Sequence, residues 1–345
     1  MKFKIGVIGA TGYAGAELVR LLLTHPNAEL TAISSVTYHG APYSDVYPAM
    51  ATLCDKILCD DKTVVAESDV VFASLPHGLS EDIADACIKK GALFIDLGAD
   101  FRLTDEKDFI EWYGNPYKHQ ALHQTAVYSI PEFDREKVKD ARLIANPGCY
   151  PTSAALALVP ALKYGLIDPS TIIVDAKSGV TGAGRSLTLA SHFPECNEAF
   201  SSYKTAEHRH TPEIEQTLSV YADEKVYITF VPHLLPINRG ILTTTYSSLK
   251  DNVPLEEIAA LYGDFYQNEP FVRVMPQGQS ANVKYVRCSN YCNLSLHKDS
   301  RTNRLIIISA IDNMVKGAAG QAIQNMNIAL KIDESAGLNH IPPSI

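Results

Sequence analysis

The segment NPGCYPT, at residues 146–152, holds a cysteine between two prolines. Cys149 follows the run RLIA and precedes the alanine-rich stretch PTSAALALVPALKYG, a pattern that predicts a strand and then a helix. The positive end of a helix dipole lowers the pKa of a thiol at the helix N-terminus, and the thiolate is the nucleophilic form. Pro147 and Pro151 also restrict the backbone around the sulfur. We therefore interpret Cys149 as a catalytic nucleophile; the alternative is a buried small apolar side chain.

A nucleophilic cysteine needs a proton carrier, and two histidines are candidates for it. His208 and His210 lie two positions apart in EHRHTPEIEQ, just before a predicted helix. Thr211 is the expected cap of that helix, with Pro212 in its first turn. His210 is closer to the helix start and is the first choice for acid–base work, with His208 second. Either one could instead be a solvated loop histidine.

The segment SGVTGAGR, at residues 178–185, has the composition of an anion-binding loop. Its glycines leave backbone N–H groups accessible to an anion, and Arg185 at its end can hold a negative group. Arg102, in GADFRL, and Arg209 are further candidate anion ligands. The alternative for each arginine is an ordinary surface ion pair.

Near the N-terminus, GATGYAG places Gly9, Gly12 and Gly15 between a predicted strand and a predicted helix. A tight glycine turn there lets a pyrophosphate approach the helix N-terminus, as in dinucleotide-binding proteins. The second strand ends at Ser34 and Ser35 with no acidic residue nearby. Because NAD sites usually carry an acid at that position, and an acid would repel a 2′-phosphate, NADP is favoured over NAD.

The elements that position these residues change in character near residue 150. Before it, strands alternate with helices, which predicts a parallel sheet covered on both faces. After the alanine-rich helix, the strands of residues 171–312 have a more antiparallel character and form an α+β domain with helices at TPEIEQTLSVYA and PLEEIAALYGDFYQ. The predicted fold class is α/β, with a Rossmann-type dinucleotide-binding domain at 1–148 and a catalytic, substrate and oligomerisation domain at 149–312. Residues 313–345 carry a final helix that returns to the first domain.

Composition limits the classes of partner. The chain has 345 residues and a net charge of −9, and its basic residues form no block, which argues against nucleic acid or an anionic membrane as the main partner. Its seven cysteines are scattered and odd in number, which favours a reduced, cytoplasmic setting. No cysteine pair has zinc-binding spacing, so no metal is expected. No apolar run approaches the length of a membrane span.

Together these motifs resemble the N-acetyl-gamma-glutamyl-phosphate reductase family, in its longer form. The resemblance covers nearly the whole chain, in order: GATGYAGAEL, NPGCYPT, SGVTGAGR, HRHTPEI, PHLLPINRGIL and DNMVKGAAGQA. It implies reduction of N-acetyl-L-glutamyl 5-phosphate by NADPH to N-acetyl-L-glutamate 5-semialdehyde and phosphate, in arginine biosynthesis. Cys149 would form a thioester, and His210 would pass protons with help from His208.

The resemblance also implies a set of binding residues, a fold and an assembly. The sheet-containing second domain would be inserted into the dinucleotide-binding domain, and its sheet would join subunits into a homodimer or homotetramer. Two departures from the family pattern are Gly98, where many members have serine, and the lack of the arginine that often follows the second strand. The expected cofactor ligands are Gly9, Thr11, Gly12, Tyr13, Ala14, Gly15, Ser34, Ser35, Ser178, Gly179 and Asn313. The expected ligands of the anionic substrate are Arg102, Asn146, Ser178, Gly182, Arg185 and His208.

Two alternative functions remain open at the level of sequence. A lysine-pathway reductase that acts on a carrier-bound aminoadipyl phosphate would have very similar motifs. A non-catalytic NADP(H)-sensing regulator would keep the glycine turn but would not need the thiol.

Overall fold

The structure is a computed structural model that describes residues 2–344. The chain forms two compact units. Unit 1 contains the residues up to Pro147 together with Ala318–Asn339, and unit 2 contains Gly148–Gly317 together with the residues from His340 onward. None of the helices in residues 2–344 combines the length and the apolar character that a membrane crossing requires.

Unit 1 is built on a six-stranded sheet in which every neighbouring pair is parallel, in the order β2-β1-β3-β4-β6-β5. β3 and β4 are buried along their whole length, as expected for a parallel sheet covered on both faces. The strands are β1 Phe3–Ile8, β2 Ala28–Ile33, β3 Val70–Ala73, β4 Leu93–Asp96, β5 Val127–Tyr128 and β6 Leu143–Ala145. The helices are α1 Tyr13–Leu22, α2 Tyr43–Val46, α3 Asp61–Glu67, α4 Glu81–Lys90, α5 Glu106–Tyr113, α6 Gln120–Thr125 and α7 Pro131–Val138.

Unit 2 is built on a seven-stranded mixed sheet. Its order is β11-β12-β13-β10-β7-β9-β8, with β11–β12 and β7–β9 parallel and the other pairs antiparallel. The strands are β7 Ile173–Gly179, β8 Ser201–Ser202, β9 Thr229–Leu235, β10 Ile241–Ser248, β11 Val272–Val274, β12 Cys292–Asp299 and β13 Arg304–Ile311. The helices are α8 Cys149–Lys163, α9 Phe193–Cys196, α10 Thr211–Ala222 and α11 Leu255–Tyr266. The predicted α/β fold class is confirmed.

The last helix, α12, spans Gly320–Ala329 and belongs to unit 1. A π-helical turn at Val315–Ala319 precedes it. The fully buried Asn325 fixes α12 to the sheet side of unit 1, because its Nδ2 donates to the Ser129 carbonyl at 3.2 Å and its Oδ1 accepts from Ser129 Oγ at 2.9 Å. A buried polar side chain of this helix therefore holds it against the segment that follows β5.

Helix α8 contains Pro160 in its interior. Proline has no N–H group, so the Leu156 carbonyl one turn earlier lacks its normal helical donor. The Tyr266 hydroxyl supplies the missing donor at 2.7 Å, and the Tyr262 hydroxyl donates to the neighbouring Ala157 carbonyl at 2.7 Å. Both tyrosines lie on α11, which therefore braces α8 at the position of its internal proline.

We predict that Tyr266→Phe lowers the free energy of unfolding by about 1–3 kcal/mol, because it leaves the buried Leu156 carbonyl without a partner. Tyr262→Phe is the matched control, since the Ala157 carbonyl also faces the N–H group of Ala161 in the helical ladder. Urea unfolding followed by circular dichroism gives both values. Equal losses in the two variants would contradict this account of α8.

Candidate active site

In unit 1, two of the three glycines after β1 are required by close packing. Gly9 has φ +75°, and a Cβ there would lie 2.3 Å from the Ser74 carbonyl oxygen. A Cβ on Gly15 would lie 2.2 Å from the Gly9 carbonyl oxygen. These two glycines let β1, the turn and α1 approach one another closely.

Gly12, in contrast, is not explained by packing within the chain. A Cβ on it would meet no atom closer than the Gly9 carbonyl oxygen at 3.5 Å. Gly12 is the N-cap of α1 and offers no side-chain acceptor to the first-turn N–H groups. The Tyr47 hydroxyl holds the turn by donating to the Thr11 carbonyl at 2.9 Å. The open space at Gly12 and the first turn of α1 at Tyr13 and Ala14, which no side chain caps, fit the pyrophosphate of a dinucleotide.

At the end of β2, the prediction that no acid lies near the serines is wrong. Ser34 Oγ donates to Asp61 Oδ1 at 2.5 Å. Ser35 Oγ lies 2.8 Å from Thr11 Oγ1 and accepts the Tyr38 N–H at 3.3 Å. Sequence inspection missed Asp61 because it lies 27 positions after Ser34 and reaches it only through the fold.

Arg102 and Asn146 connect the carboxyl ends of β4 and β6. Arg102 is 7% exposed, and its guanidinium donates to the Asn146 carbonyl at 3.0 Å and to the Leu97 carbonyl at 2.8 Å. The Asn146 side chain in turn accepts from Asn325 at 3.3 Å. These contacts hold the two strand ends together, and the contact of Arg102 and Asn146 with substrate remains a prediction.

A buried carboxylate pair also lies at the end of β4, and sequence reasoning did not single it out. Asp96 accepts from Ser80 Oγ at 2.7 Å and from the Gly98 N–H at 2.9 Å, whereas Asp100 accepts from the Gly78 and Ser80 N–H groups at 2.6 and 2.9 Å. Burial, followed by the charge of Asp100, raises the pKa of Asp96 to about 7. The sequence does carry a sign of this pair: in DLGAD, two aspartates lie four positions apart at the end of an apolar strand.

In unit 2, Cys149 is the first residue of α8, a helix of 15 residues. The preceding N–H, that of Gly148, donates to Glu213 Oε1 at 2.7 Å, and Glu213 is 1% exposed. On another side, the backbone of Gly317 packs so closely that a Cβ there would lie 2.7 Å from the Cys149 Cβ. The thiol therefore has a fixed position at the positive end of the helix dipole.

The fold gives the two histidines different environments. His210 is the N-cap residue of α10, whose helix begins at Thr211, so the prediction that Thr211 caps the helix is wrong. The His210 N–H donates to His208 Nδ1 at 3.1 Å. Burial, followed by the charges of Lys204 and Arg209, lowers the pKa of His208 to about 4.

An aromatic cluster surrounds the two histidines. The Tyr203 hydroxyl donates to the Tyr150 hydroxyl at 3.2 Å, and the Tyr150 hydroxyl donates to the His233 carbonyl at 3.2 Å. The Tyr150 ring lies edge-on to His208 at 5.6 Å and to His210 at 5.9 Å between centroids. Because Tyr150 follows Cys149 directly, this cluster links the start of α8 to the start of α10.

The segment SGVTGAGR begins at the end of β7 and continues into a 3₁₀ turn at Val180–Ala183. Asn313 joins this turn to the β10 side, because its Nδ2 donates to Thr181 Oγ1 at 3.0 Å and its Oδ1 accepts the Gly240 N–H at 2.8 Å. A Cβ on Gly182 would lie 3.1 Å from Ser178 Oγ and 3.7 Å from Asn313 Nδ2. The fold therefore brings Ser178, Gly182 and Asn313 together.

The other members of the predicted site are less closely associated. Gly179 packs against the backbone at Asn238, where a Cβ would lie 2.6 Å from the carbonyl oxygen, and Arg185 is exposed further along the loop. In the part of the chain that the structure describes, no group of three or more histidine, cysteine, aspartate or glutamate side chains could hold a metal ion. Glu213, which sequence reasoning missed, was signalled by an acid in the first turn after HRHTP.

Family models and curated relatives match this chain over nearly its whole length. The family model for the semialdehyde dehydrogenase NAD-binding domain matches residues 4–141, and the model for the semialdehyde dehydrogenase dimerisation domain matches residues 149–313. An N-acetyl-gamma-glutamyl-phosphate reductase from Brachyspira hyodysenteriae is 57% identical, covering 99% of each chain. One of the same name from Clostridium botulinum is 54% identical, also covering 99% of each chain.

Solved structures show the same fold at low sequence identity. Aspartate semialdehyde dehydrogenase II from Vibrio cholerae, crystallised in complex with ASA, has a TM-score of 0.73 and 14% identity, covering 96% of this chain and 99% of that one. The Candida albicans enzyme with NADP has a TM-score of 0.71 and 16% identity, covering 98% and 99%. The fold, the two domain matches and the full-length relatives agree: the chain belongs to the N-acetyl-gamma-glutamyl-phosphate reductase family.

Proposed function

We propose that this protein reduces N-acetyl-L-glutamyl 5-phosphate to N-acetyl-L-glutamate 5-semialdehyde and phosphate, with NADPH, in arginine biosynthesis. The observation that carries the proposal is Cys149 at the first turn of α8, tied through the Gly148 N–H to Glu213 on α10, the helix that begins beside His210. Full-length relatives at 57% and 54% identity bear the name of that reductase. We propose the cytoplasm as its compartment, as its scattered cysteines predict.

The first half of the proposed reaction is acyl transfer to sulfur. The Cys149 thiolate attacks the acyl carbon, the carbon–sulfur bond forms and the bond to the phosphate oxygen breaks, which releases phosphate and leaves a thioester. The start of α8 favours the thiolate through the helix dipole. The glycine turn at the start of α1 would hold the dinucleotide, which would supply a hydride to the thioester carbon. The carbon–sulfur bond then breaks, which frees the aldehyde and restores the thiolate.

We assign to His210 the removal of the proton from the Cys149 thiol before attack, and a positioning role to His208. His208 Nδ1 accepts the His210 N–H, and with a pKa of about 4 its ring is neutral at physiological pH. His208 therefore supports the backbone of His210 and fills the space between aromatic rings. His210 lies at the start of α10, close to Tyr150, the residue that follows the nucleophile.

The binding residues remain those of the sequence prediction. For the cofactor, the open position at Gly12 supports pyrophosphate binding at the start of α1, and Ser178, Gly179 and Asn313 are proposed contacts in unit 2. For the substrate, we propose that Ser178, Gly182 and Arg185 hold one anionic group. Arg102, Asn146 and His208 complete the proposed substrate contacts.

We also propose a homodimer or homotetramer joined through the sheet of unit 2. The family's second domain is a dimerisation domain. Along β10, buried side chains alternate with half-buried ones. Opposite the half-buried Thr244 and Tyr246, their register partners on β13, Ile308 and Ile306, are half-buried too. The resulting face, which carries Leu242, Tyr246, Ile306 and Ile308, suits a second copy of the chain.

The direct test is NADPH oxidation with N-acetylglutamyl phosphate, or the phosphate-dependent reverse reaction with the semialdehyde. We expect turnover with the acetylglutamyl compound and little with carrier-bound aminoadipyl phosphate, because no basic docking face for a carrier protein is evident in the sequence. Preference for the aminoadipyl substrate would favour the lysine-pathway alternative.

Cys149→Ser is expected to lower kcat by roughly a thousandfold or more, because a nucleophile is lost, while NADPH binding is retained. Cys196→Ser is the matched control, since Cys196 lies in the exposed segment between β7 and β8 and should leave kcat unchanged. Iodoacetamide should likewise abolish activity by alkylating Cys149. Full activity after complete alkylation there would refute the mechanism and revive the non-catalytic sensor.

His210→Asn is expected to lower kcat by about 10²- to 10⁴-fold, the usual contribution of a general acid–base group. His208→Asn should cost less and should leave the shape of the pH–rate profile unchanged. His192→Asn, at an exposed position, serves as the control. A larger loss and an altered pH profile in the His208 variant would reverse the assignment.

His208 should also make stability depend on pH. The pKa of His208 is about 4 in the folded chain and about 6.5 in an unfolded one, so its contribution is complete above about pH 6.5 and declines as the pH falls towards 4. His208→Gln should flatten this decline, which urea midpoints at pH 7, 5.5 and 4.5 would measure. Parallel decline in the wild type and the variant would contradict the buried, neutral state of His208.

A further inference from the structure

The end of β2 is joined to a second segment that carries two acids. Ser34 forms an isolated parallel bridge with Cys59, and the Cys59 N–H donates to the Ile33 carbonyl at 2.9 Å. This pairing brings Asp60 and Asp61 beside the serines at the strand end. In a doubly wound sheet, this strand end is where the adenosine ribose of a dinucleotide is recognised.

The two acids have different uses. Asp60 is the N-cap of α3, and its Oδ1 accepts the Thr63 N–H at 2.7 Å. Asp61 instead faces the strand end, where its Oδ1 accepts a hydrogen bond from the Ser34 hydroxyl at 2.5 Å. Asp60 therefore stabilises its own helix, whereas Asp61 contributes its carboxylate to the ribose-binding corner.

The hydroxyl protons available at this corner are limited. A serine hydroxyl can donate one hydrogen bond, and the Ser34 hydroxyl donates it to Asp61. Ser35 Oγ accepts the Tyr38 N–H and shares a hydrogen bond with Thr11 Oγ1. A phosphate requires donors, whereas a ribose 2′-hydroxyl can itself donate to the half-buried Asp61 carboxylate. The hydrogen-bonding pattern at Ser34 therefore suits a 2′-hydroxyl better than a 2′-phosphate.

The charges near the strand end also favour a 2′-hydroxyl over a 2′-phosphate. The segment SSVTYHGAP, residues 34–42, contains no lysine or arginine, and Val36 directly after the serines is 90% exposed. His39 and Lys62 are the basic groups whose charges act on Asp60. A 2′-phosphate in this corner would place negative charge beside the Asp61 carboxylate, and like charges repel.

We infer that Asp61 sets the balance between NADPH and NADH in this chain: its carboxylate weakens binding of the 2′-phosphate, so that NADH is accepted as a second reductant. The inference rests on the proposed function for the binding of a dinucleotide at the glycine turn. Asp61 is then a residue that determines which of the two dinucleotides is used.

The test compares Asp61→Asn with Asp60→Asn, two variants that each lose one negative charge at adjacent positions. Asparagine retains the capping role at residue 60, so that variant keeps α3 intact. Dissociation constants for NADPH and NADH are measured by nucleotide fluorescence without any acyl phosphate. Competition by adenosine 2′,5′-bisphosphate and by AMP, which differ only in the 2′-phosphate, isolates the same group.

Asp61→Asn should tighten NADPH and adenosine 2′,5′-bisphosphate about five- to tenfold and leave NADH and AMP within about twofold. Asp60→Asn should leave the ratio of the two dinucleotides within about twofold of wild type. Equal shifts for both dinucleotides in Asp61→Asn, no shift, or weaker NADPH binding would each overturn the inference.

The binding readout separates this inference from the reductase itself. A selective change in NADPH affinity without turnover of acetylglutamyl phosphate would support the role of Asp61 and count against the proposed function. Turnover with no change in the affinity ratio would support the proposed function and overturn the role of Asp61. Failure of the wild type to bind either dinucleotide would overturn both.

Discussion

The hydrogen bond between the Glu213 carboxylate and the Gly148 N–H holds the starts of two helices together. The two residues are 65 positions apart, and the bond is buried at 2.7 Å. Without the carboxylate, a buried N–H at the helix start would lose its acceptor, at a cost of about 1–3 kcal/mol. Since Cys149 follows Gly148 and His210 precedes α10, this one bond fixes the two helix ends that carry the proposed nucleophile and the proposed proton carrier.

The segment after β13 adds a second constraint on the same thiol. Asp312 is fully buried, and its carboxylate accepts the N–H groups of Cys288, Met314 and Val315 at 2.7, 2.8 and 3.2 Å. These bonds hold the chain that leads to Gly317, whose backbone packs against the Cys149 Cβ. Rigid backbone therefore surrounds the cysteine, which favours a preorganised site over one assembled on binding.

Local sequence patterns predicted the parts of the fold that depend on nearby residues. The glycine turn, the strand-to-helix placement of Cys149 and the change of sheet type after residue 150 all follow from spacing within about 15 residues. The contacts of Asp61 with Ser34 and of Glu213 with Gly148 span 27 and 65 positions, and no periodicity encodes such pairings. The different environments of His208 and His210 could not be predicted from the sequence either, because the His208 ring is buried against Tyr203 and Phe230.

The proline inside α8 has a consequence for how this family changes over time. A helix that carries Pro160 tolerates the missing N–H because Tyr266, on another helix, occupies the carbonyl left open at Leu156. The Tyr266 hydroxyl thus compensates for the N–H group that Pro160 lacks, because both would donate to the same carbonyl. A relative without proline at position 160 does not need a hydroxyl at position 266, whereas a relative with the proline does. The residues at the two positions should therefore covary.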